Sequence, residues 1–305
     1  MALYLVTGGA GFIGSHLCDS LLADGHSVRV LDDLSTGKRE NLDPRVELVV
    51  GDAGLDGPAA QAVQGAAGVF HLAAVASVQR GNEDWAGTHR ANLTATIRVF
   101  DAARATKIPV VYASSAAAYG DCPDLPLSES ARPTPISAYG ADKLACEFHA
   151  RVGGYVHGVP SAGFRFFNVF GPRQDSKSPY SGVISIFCEK VRKGEACTVL
   201  GDGKQERDFV YVADVVAALR LGMAKASTEA PVFNVGTGRA TTILDLAKRL
   251  QRLSGSPADP VHAPPRAGDI RKSLADPRRL EALGWTPKTS LDDGLRATLA
   301  WLAGT

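Results

Sequence analysis

At 305 residues the chain can bury a full core and is long enough for one large domain with a smaller lobe. Its 33 basic and 32 acidic side chains nearly cancel, so no net field draws nucleic acid or a membrane surface, and neither is an expected partner. Five scattered cysteines (Cys18, Cys122, Cys146, Cys188, Cys197) without C-x-x-C spacing argue against a disulfide framework or a metal site. With a first strand close to Met1 and no apolar run near the ~18 residues of a membrane helix, the expected setting is the cytoplasm.

The first apolar run, 3–7, leads into Val6-Thr7-Gly8-Gly9-Ala10-Gly11-Phe12-Ile13-Gly14 and then a helix-like segment over 15–24. Gly8 permits a tight strand-to-helix turn, Gly11 lets backbone approach a pyrophosphate, and Gly14 lets the helix pack on the strand. The helix N-terminus offers free N–H groups to phosphate, so the loop predicts a dinucleotide site. A second run, 27–31, ends in Asp32, 24 residues after Gly8 and near the distance at which an acid grips the adenosine ribose. A carboxylate there repels a 2′-phosphate, so NAD is expected rather than NADP.

Further strand-like runs at 46–50, 69–73, 109–113 and 162–166 alternate with helix-length segments, among them 89–107 and 139–157. The alternation predicts an α/β fold, a Rossmann-type doubly wound parallel sheet covered on both faces. After Phe166 the rhythm breaks into Gly-, Pro- and Ser-rich stretches, read as a smaller C-terminal substrate lobe folded over the carboxyl ends of the strands. The division is 1–167 for the dinucleotide domain, with strands returning to it at about 209–237, and 168–208 with 238–305 for the lobe.

Tyr139 and Lys143 stand four residues apart, so a helix places phenol and ammonium on one face. A neighbouring cation favours the phenolate, the form that accepts a proton. Upstream, Val110-Val111-Tyr112-Ala113-Ser114-Ser115 reads as a buried strand that ends in two hydroxyls, where parallel sheets present catalytic groups.

These residues resemble the extended short-chain dehydrogenase/reductases, in particular nucleotide-sugar epimerases of the UDP-galactose/UDP-GlcNAc 4-epimerase kind. The resemblance spans nearly the whole chain, through the glycine loop, Gly51-Asp52, His71-Leu72-Ala73-Ala74, Asn92, Ser114 to Gly120, Tyr139 to Lys143, Arg165 to Arg173, Arg207 to Val210, Asn234 to Thr237 and Arg266 to Asp269. It implies that NAD is held by Gly8, Gly11, Phe12, Ile13, Gly14, Asp32, Asp33, Asp52 and Ala53, with Asp32, Asp33 and Asp52 on its adenosine half. Leu72, Ala73, Ala74, Asn92, Ser114, Tyr139 and Lys143 would also bind NAD, with Ala73 and Ser114 lining the nicotinamide side. Tyr139 would be the base, Ser115 would share the hydrogen bond to the sugar 4-hydroxyl, and Lys143 would hold the nicotinamide ribose. The UDP-sugar would meet Ser77, Ser115 and Asn168, with Arg207 and Arg266 on its phosphates, Asp269 on the uridine ribose and Ser273 beside the C2 substituent.

The implied reaction inverts C4 through a transient 4-keto sugar, as Tyr139 removes the hydroxyl proton and C4 hydride passes to NAD. Dehydrating relatives place acids just before the tyrosine of the 115–119 segment, where this chain has Ala116 and Ala117, so simple epimerisation is preferred. Restrictive epimerases carry a tyrosine at the position of Ser273; the small residue leaves room for an N-acetyl group, so UDP-GlcNAc/UDP-GalNAc are expected beside UDP-Glc/UDP-Gal. The alternatives are a UDP-glucuronate 4-epimerase, with Lys177 and Arg80 the nearest basic candidates for its carboxylate, or a catalytically silent NAD-binding regulator. By the same resemblance a homodimer forms through helices at about 89–107 and 139–157.

Overall fold

The computed structural model describes residues 1–176, 182–265 and 270–304. In chain order the first elements are β1 (Leu3–Thr7), α1 (Phe12–Ala23), β2 (Ser27–Asp32), β3 (Glu47–Val50), α2 (Pro58–Ala62), β4 (Gly68–His71), α3 (Val78–Glu83), α4 (Trp85–His89), α5 (Ala95–Arg104), β5 (Val110–Ser115), α6 (Ala138–His157) and β6 (Ser161–Phe166). There follow β7 (Asn168–Phe170), α7 (Val183–Arg192), β8 (Thr198–Leu200), β9 (Glu206–Tyr211), α8 (Val212–Lys225), β10 (Val232–Val235), β11 (Ala240–Thr242), α9 (Ile243–Ser254), β12 (Val261–Ala263), β13 (Lys272–Ser273), α10 (Arg278–Glu281) and α11 (Leu291–Ala303).

The chain divides into two compact units. One comprises Met1–Gly120, Arg132–Phe166 and Val216–Phe233; the other comprises Asp121–Ala131, Phe167–Val215 and Asn234–Thr305. The first is built on a seven-stranded sheet in the order β3-β2-β1-β4-β5-β6-β10. Every residue of β4 and of β6 is buried, as in strands covered on both faces, which is why these runs show no polar alternation. β1 pairs in parallel with β2 on one side and β4 on the other, so strand order reverses there, at the switch point where doubly wound sheets bind ligands. The core of this unit joins Leu5, Leu31, Val69, Val99, Phe100, Tyr112 and Ala150.

The second unit turns on β9, antiparallel to β11 and parallel to both β13 and β7, with β8 and β12 forming a separate parallel pair. Its core gathers Phe170 and Phe209 with Phe187 of α7, Leu246 and Leu250 of α9, and Leu295 of α11.

Three expectations change. The run Phe209–Val212 does not return to the large sheet: Asn168, Val169 and Phe170 stand in register with Phe209, Val210 and Tyr211, in the second unit. An apolar run fits a pleated, half-buried surface in either sheet, and only long-range pairing chooses between them. Val232–Val235 does join the large sheet as β10. The segment 121–131, expected in the dinucleotide domain, belongs to the second unit, because Leu127 exchanges backbone hydrogen bonds with Leu274 and Asp276. The helix expected over 89–107 is broken into α4 and α5 by a single π-turn over Arg90–Thr94.

Candidate active site

The glycine loop has little steric freedom. Gly8 sits at φ +69°, and a Cβ there would come within 2.6 Å of the Ala73 nitrogen; a Cβ on Gly14 would come within 2.2 Å of the Gly8 carbonyl oxygen. The loop and the end of β4 thus meet backbone to backbone, and α1 lies directly on the turn. Gly11 is the N-cap of α1, no side chain caps that end, and no acid stands in its first turn. This cradle fits a dinucleotide diphosphate, which accepts hydrogen bonds from the first-turn N–H groups and is favoured by the helix dipole.

Asp32 closes the loop from the end of β2. Only 6% exposed, it accepts the Ala10 N–H on Oδ2 and the Leu34 N–H on Oδ1, each at 2.9 Å, and burial pushes its carboxyl above the usual range. Two of about four lone pairs are thereby used, and the others fit ribose hydroxyls. Asp33 is exposed and accepts from the Ser35 amide and hydroxyl. Asp52 accepts the Gly54 N–H at 2.7 Å and lies 3.4 Å from Arg90, while Ala53 is buried in the core. Replacing Asp32 by Ala is expected to weaken NAD by about 10-fold or more, the worth of a charge-assisted hydrogen bond, while narrowing the preference for NAD over NADP. Unchanged dissociation constants for both cofactors would remove Asp32 from the ribose.

At the end of β5 the two serines diverge, as successive strand residues must. Ser115 accepts the Ala117 N–H at 3.1 Å, capping the 3-10 turn Ala116–Tyr119, and keeps its own proton to donate. Ser114, 2% exposed, turns inward and donates to Glu147 Oε1 at 2.5 Å. Its hydroxyl is therefore committed inside the protein, so any part of Ser114 in the nicotinamide wall falls to its backbone. Glu147 also takes both arms of the Arg165 fork, at 2.8 and 2.6 Å, and Arg165 lies 4.6 Å from the Tyr119 ring centre. This buried cluster ties α6 to the ends of β5 and β6.

α6 brings the phenol and ammonium to the serine turn. Ser137 caps it by accepting the Gly140 N–H, and a Cβ on Gly140 would stand 2.4 Å from the Ala117 carbonyl oxygen. Glycine at 140 is what lets the helix start pack on the turn that carries Ser115. Lys143 is 2% exposed, donates from Nζ to the Ala113 carbonyl at 2.9 Å, and lies 5.9 Å from the centre of the half-buried Tyr139 ring. Ser115, Tyr139 and Lys143 are thus assembled by β5 and α6.

Leu72, Ala73 and Ala74 follow β4 and are half-buried. Asn92 is fully buried, and its amide oxygen accepts the Val75 N–H at 2.8 Å. It thereby fixes the loop after Ala74. Ser77 caps α3 by accepting the Arg80 N–H, and its hydroxyl proton remains to be donated; Arg80 is exposed.

In the second unit, β9 carries Arg207 and β13 carries Ser273 in direct register with it. Arg207 donates to the Glu206 carbonyl at 2.9 Å, and Asn168 of β7 is half-buried opposite Phe209. Asp208, fully buried, accepts from the Thr237 amide and hydroxyl and from the Gly238 and Ala275 amides, fastening β9 to its neighbours. Arg266, Asp269 and Lys177 lie outside the described residues. Among the described residues no group of three His, Cys, Asp or Glu side chains is placed to hold a metal, and no helix is long and apolar enough to cross a membrane.

Glu147 was not singled out by sequence reasoning, and Thr7 and His71 stood only within motifs, with no role given to either side chain. Extending the Tyr139–Lys143 stripe by one further turn reaches Glu147; the motifs that contain Thr7 and His71 do not show that the two side chains meet.

A dinucleotide cradle beside a Ser-Tyr-Lys group on a doubly wound sheet defines a short-chain dehydrogenase/reductase type of enzyme. Residues 4–236 match the family model described as the NAD dependent epimerase/dehydratase family, and the chain belongs to that family. It is 39% identical over 307 residues to UDP-glucose 4-epimerase of Mycolicibacterium smegmatis, covering 97% of this chain and 96% of that one. It superposes with TM-score 0.95 and 37% identity on Thermotoga maritima UDP-glucose 4-epimerase with UDP-glucose, over 99% of each chain. The same TM-score, with 36% identity over 99% and 98%, relates it to Methanobrevibacter ruminantium UDP-N-acetylglucosamine 4-epimerase in complex with UDP-N-acetylmuramic acid.

Proposed function

We propose that the protein inverts C4 of a UDP-hexose, interconverting UDP-Glc with UDP-Gal and UDP-GlcNAc with UDP-GalNAc. The observation that carries this reading is the approach of α6 to the Ser115 turn at Gly140, with Lys143 anchored on Ala113 beside Tyr139. NAD, when bound, supplies reversible two-electron oxidation of the sugar carbon. Tyr139, as the phenolate, takes the O4 proton and becomes neutral, Ser115 donates a hydrogen bond to O4, and the Lys143 ammonium attracts the negative charge that Tyr139 carries before the transfer. C4 passes through the ketone, and Tyr139 returns the same proton to O4 once the opposite face of the sugar has been reduced. No acid stands at Ala116 or Ala117 to carry a proton for elimination, which favours epimerisation over dehydration.

Substrate grip is assigned to the second unit, with Arg207 and Arg266 on the diphosphate, Asn168 beside it and Asp269 on the uridine ribose. Guanidinium forks suit a dianionic diphosphate on a chain whose own charge is near zero. Ser273, in register with Arg207, takes the position beside the C2 substituent, and its small side chain accommodates an acetamido group. Supplying the purified protein with UDP-Glc, UDP-GlcNAc and UDP-glucuronate side by side tests the reading. Turnover of the first two supports it; exclusive use of the uronate, or no turnover with NAD bound, overturns it.

A homodimer accompanies this function. α6 leaves Phe148, Val152, Tyr155 and Val156 exposed in one stripe, Tyr155 by 90%, an apolar face that solvent alone covers poorly. Light scattering is expected to give twice the chain mass of 32.0 kDa at micromolar concentration, and Tyr155→Asp to lower it. A wild-type monomer would contradict this.

A further inference from the structure

Four hydrogen bonds run in one direction through the buried end of β4. Thr96 has a single hydroxyl proton, which it gives to the Asn92 carbonyl at 2.7 Å. Its oxygen, 3.0 Å from His71 Nε2, is therefore an acceptor, so Nε2 carries the imidazole proton. Nδ1 is then bare and accepts the Thr7 hydroxyl at 2.7 Å, while Thr7 Oγ1 accepts the Ala73 N–H at 3.3 Å. The Cys146 thiol, 3.2 Å from the Thr96 oxygen, has its own proton to give and leaves this assignment unchanged.

His71 is 2% exposed, and burial, aided by the Lys143 ammonium, pushes it down to about 3. It stays neutral through the working range, and the direction of the chain does not reverse. The line ends at Asn92, whose side-chain oxygen holds the Val75 N–H at 2.8 Å. The backbone from Ala73 to Val75 is thus held at both ends, and the two holds meet through one imidazole. Gly8 leaves no slack on the other side, since even a methyl there would stand 2.6 Å from the Ala73 nitrogen.

We propose that His71, as the neutral Nε2–H tautomer, is a positioning residue for the nicotinamide half of NAD: it fixes the Ala73–Val75 backbone against which the ring rests. The inference depends on the family reading of Ala73 as lining the nicotinamide side, and needs no particular sugar substrate. His71→Phe keeps a ring and removes both nitrogens, His71→Asn returns an acceptor where Nδ1 stood, and His71→Gln returns a donor where Nε2 stood.

The test titrates the NAD-loaded protein with ADP-ribose, which lacks nicotinamide, and measures the NAD released. Loss of the hold on Ala73 should let ADP-ribose displace NAD from His71→Phe at about one-tenth of the wild-type concentration, with His71→Asn recovering more of the difference than His71→Gln. General damage weakens both ligands alike and leaves the displacement concentration where it was; that result overturns the proposal. Should His71→Phe fail to fold, the Asn and Gln variants give the same comparison, and equal displacement in both and in wild type overturns it. Nitrogen-15 spectra of the wild-type ring add a second reading: an Nδ1–H tautomer, or protonation at pH 6, overturns it equally. None of these readouts requires turnover, so a protein that epimerises no UDP-sugar would sink the proposed function without touching this result.

Discussion

Tyr139→Phe is expected to lower kcat by about 100- to 10,000-fold, the range associated with a positioned acid–base group, while bound NAD and affinity for the UDP-sugar stay close to wild type. The substitution removes one oxygen and keeps the ring. The ring's place is set by backbone features that the change does not touch: the Ser137 cap and the contact of Gly140 with the Ala117 carbonyl. Lys143 keeps its bond to Ala113, so the ammonium stays where it is. NAD content of the purified variant, a binding isotherm for UDP and the steady-state rate together separate chemistry from binding. A rate within a few-fold of wild type would remove Tyr139 as the proton acceptor. A matched loss of NAD would mean instead that the phenol acts in holding the cofactor.

Ser273→Tyr is expected to split the substrates. The position is two residues into a short strand whose register with Glu206 and Arg207 is fixed, so the new ring projects from a defined place. An acetamido group beside C2 would then meet an aromatic side chain, and overpacking of this kind costs about 1–3 kcal/mol, a 5- to 150-fold loss in kcat/KM. A bare 2-hydroxyl needs less room, and UDP-Glc should lose no more than a few-fold. The measurement is kcat/KM for UDP-GlcNAc and UDP-Glc in both proteins. Equal loss on both would indicate damage to the second unit, and no loss on either would place Ser273 away from the sugar.

Some of this protein could be read from its sequence because the signals are local. The glycine loop dictates its own turn: Gly8 needs a positive φ, and Gly14 must lack a side chain because the helix lies on the Gly8 carbonyl. The four-residue spacing of Tyr139 and Lys143 becomes a shared helix face wherever the helix lies. Apolar runs of strand length alternating with helices give the doubly wound sheet, since buried parallel strands need no polar alternation.

Other features depended on which distant segments met. Phe209–Val212 carries the same apolar signal as a strand of the large sheet, yet pairs with Asn168–Phe170, because strand partners are chosen by long-range packing. Ser114 and Ser115 look alike in sequence; Glu147, 33 residues beyond Ser114, claims one hydroxyl, while the other only accepts the Ala117 N–H and keeps its proton. That the Asn92 side chain holds the Val75 amide, 17 residues away, is likewise invisible in the sequence. The tautomer of His71 follows only once Thr7 and Thr96, 64 and 25 residues away, are known to flank its ring. Local spacing fixes what a segment can present; burial and hydrogen-bond partners from distant segments decide which of its polar groups remain available to a ligand.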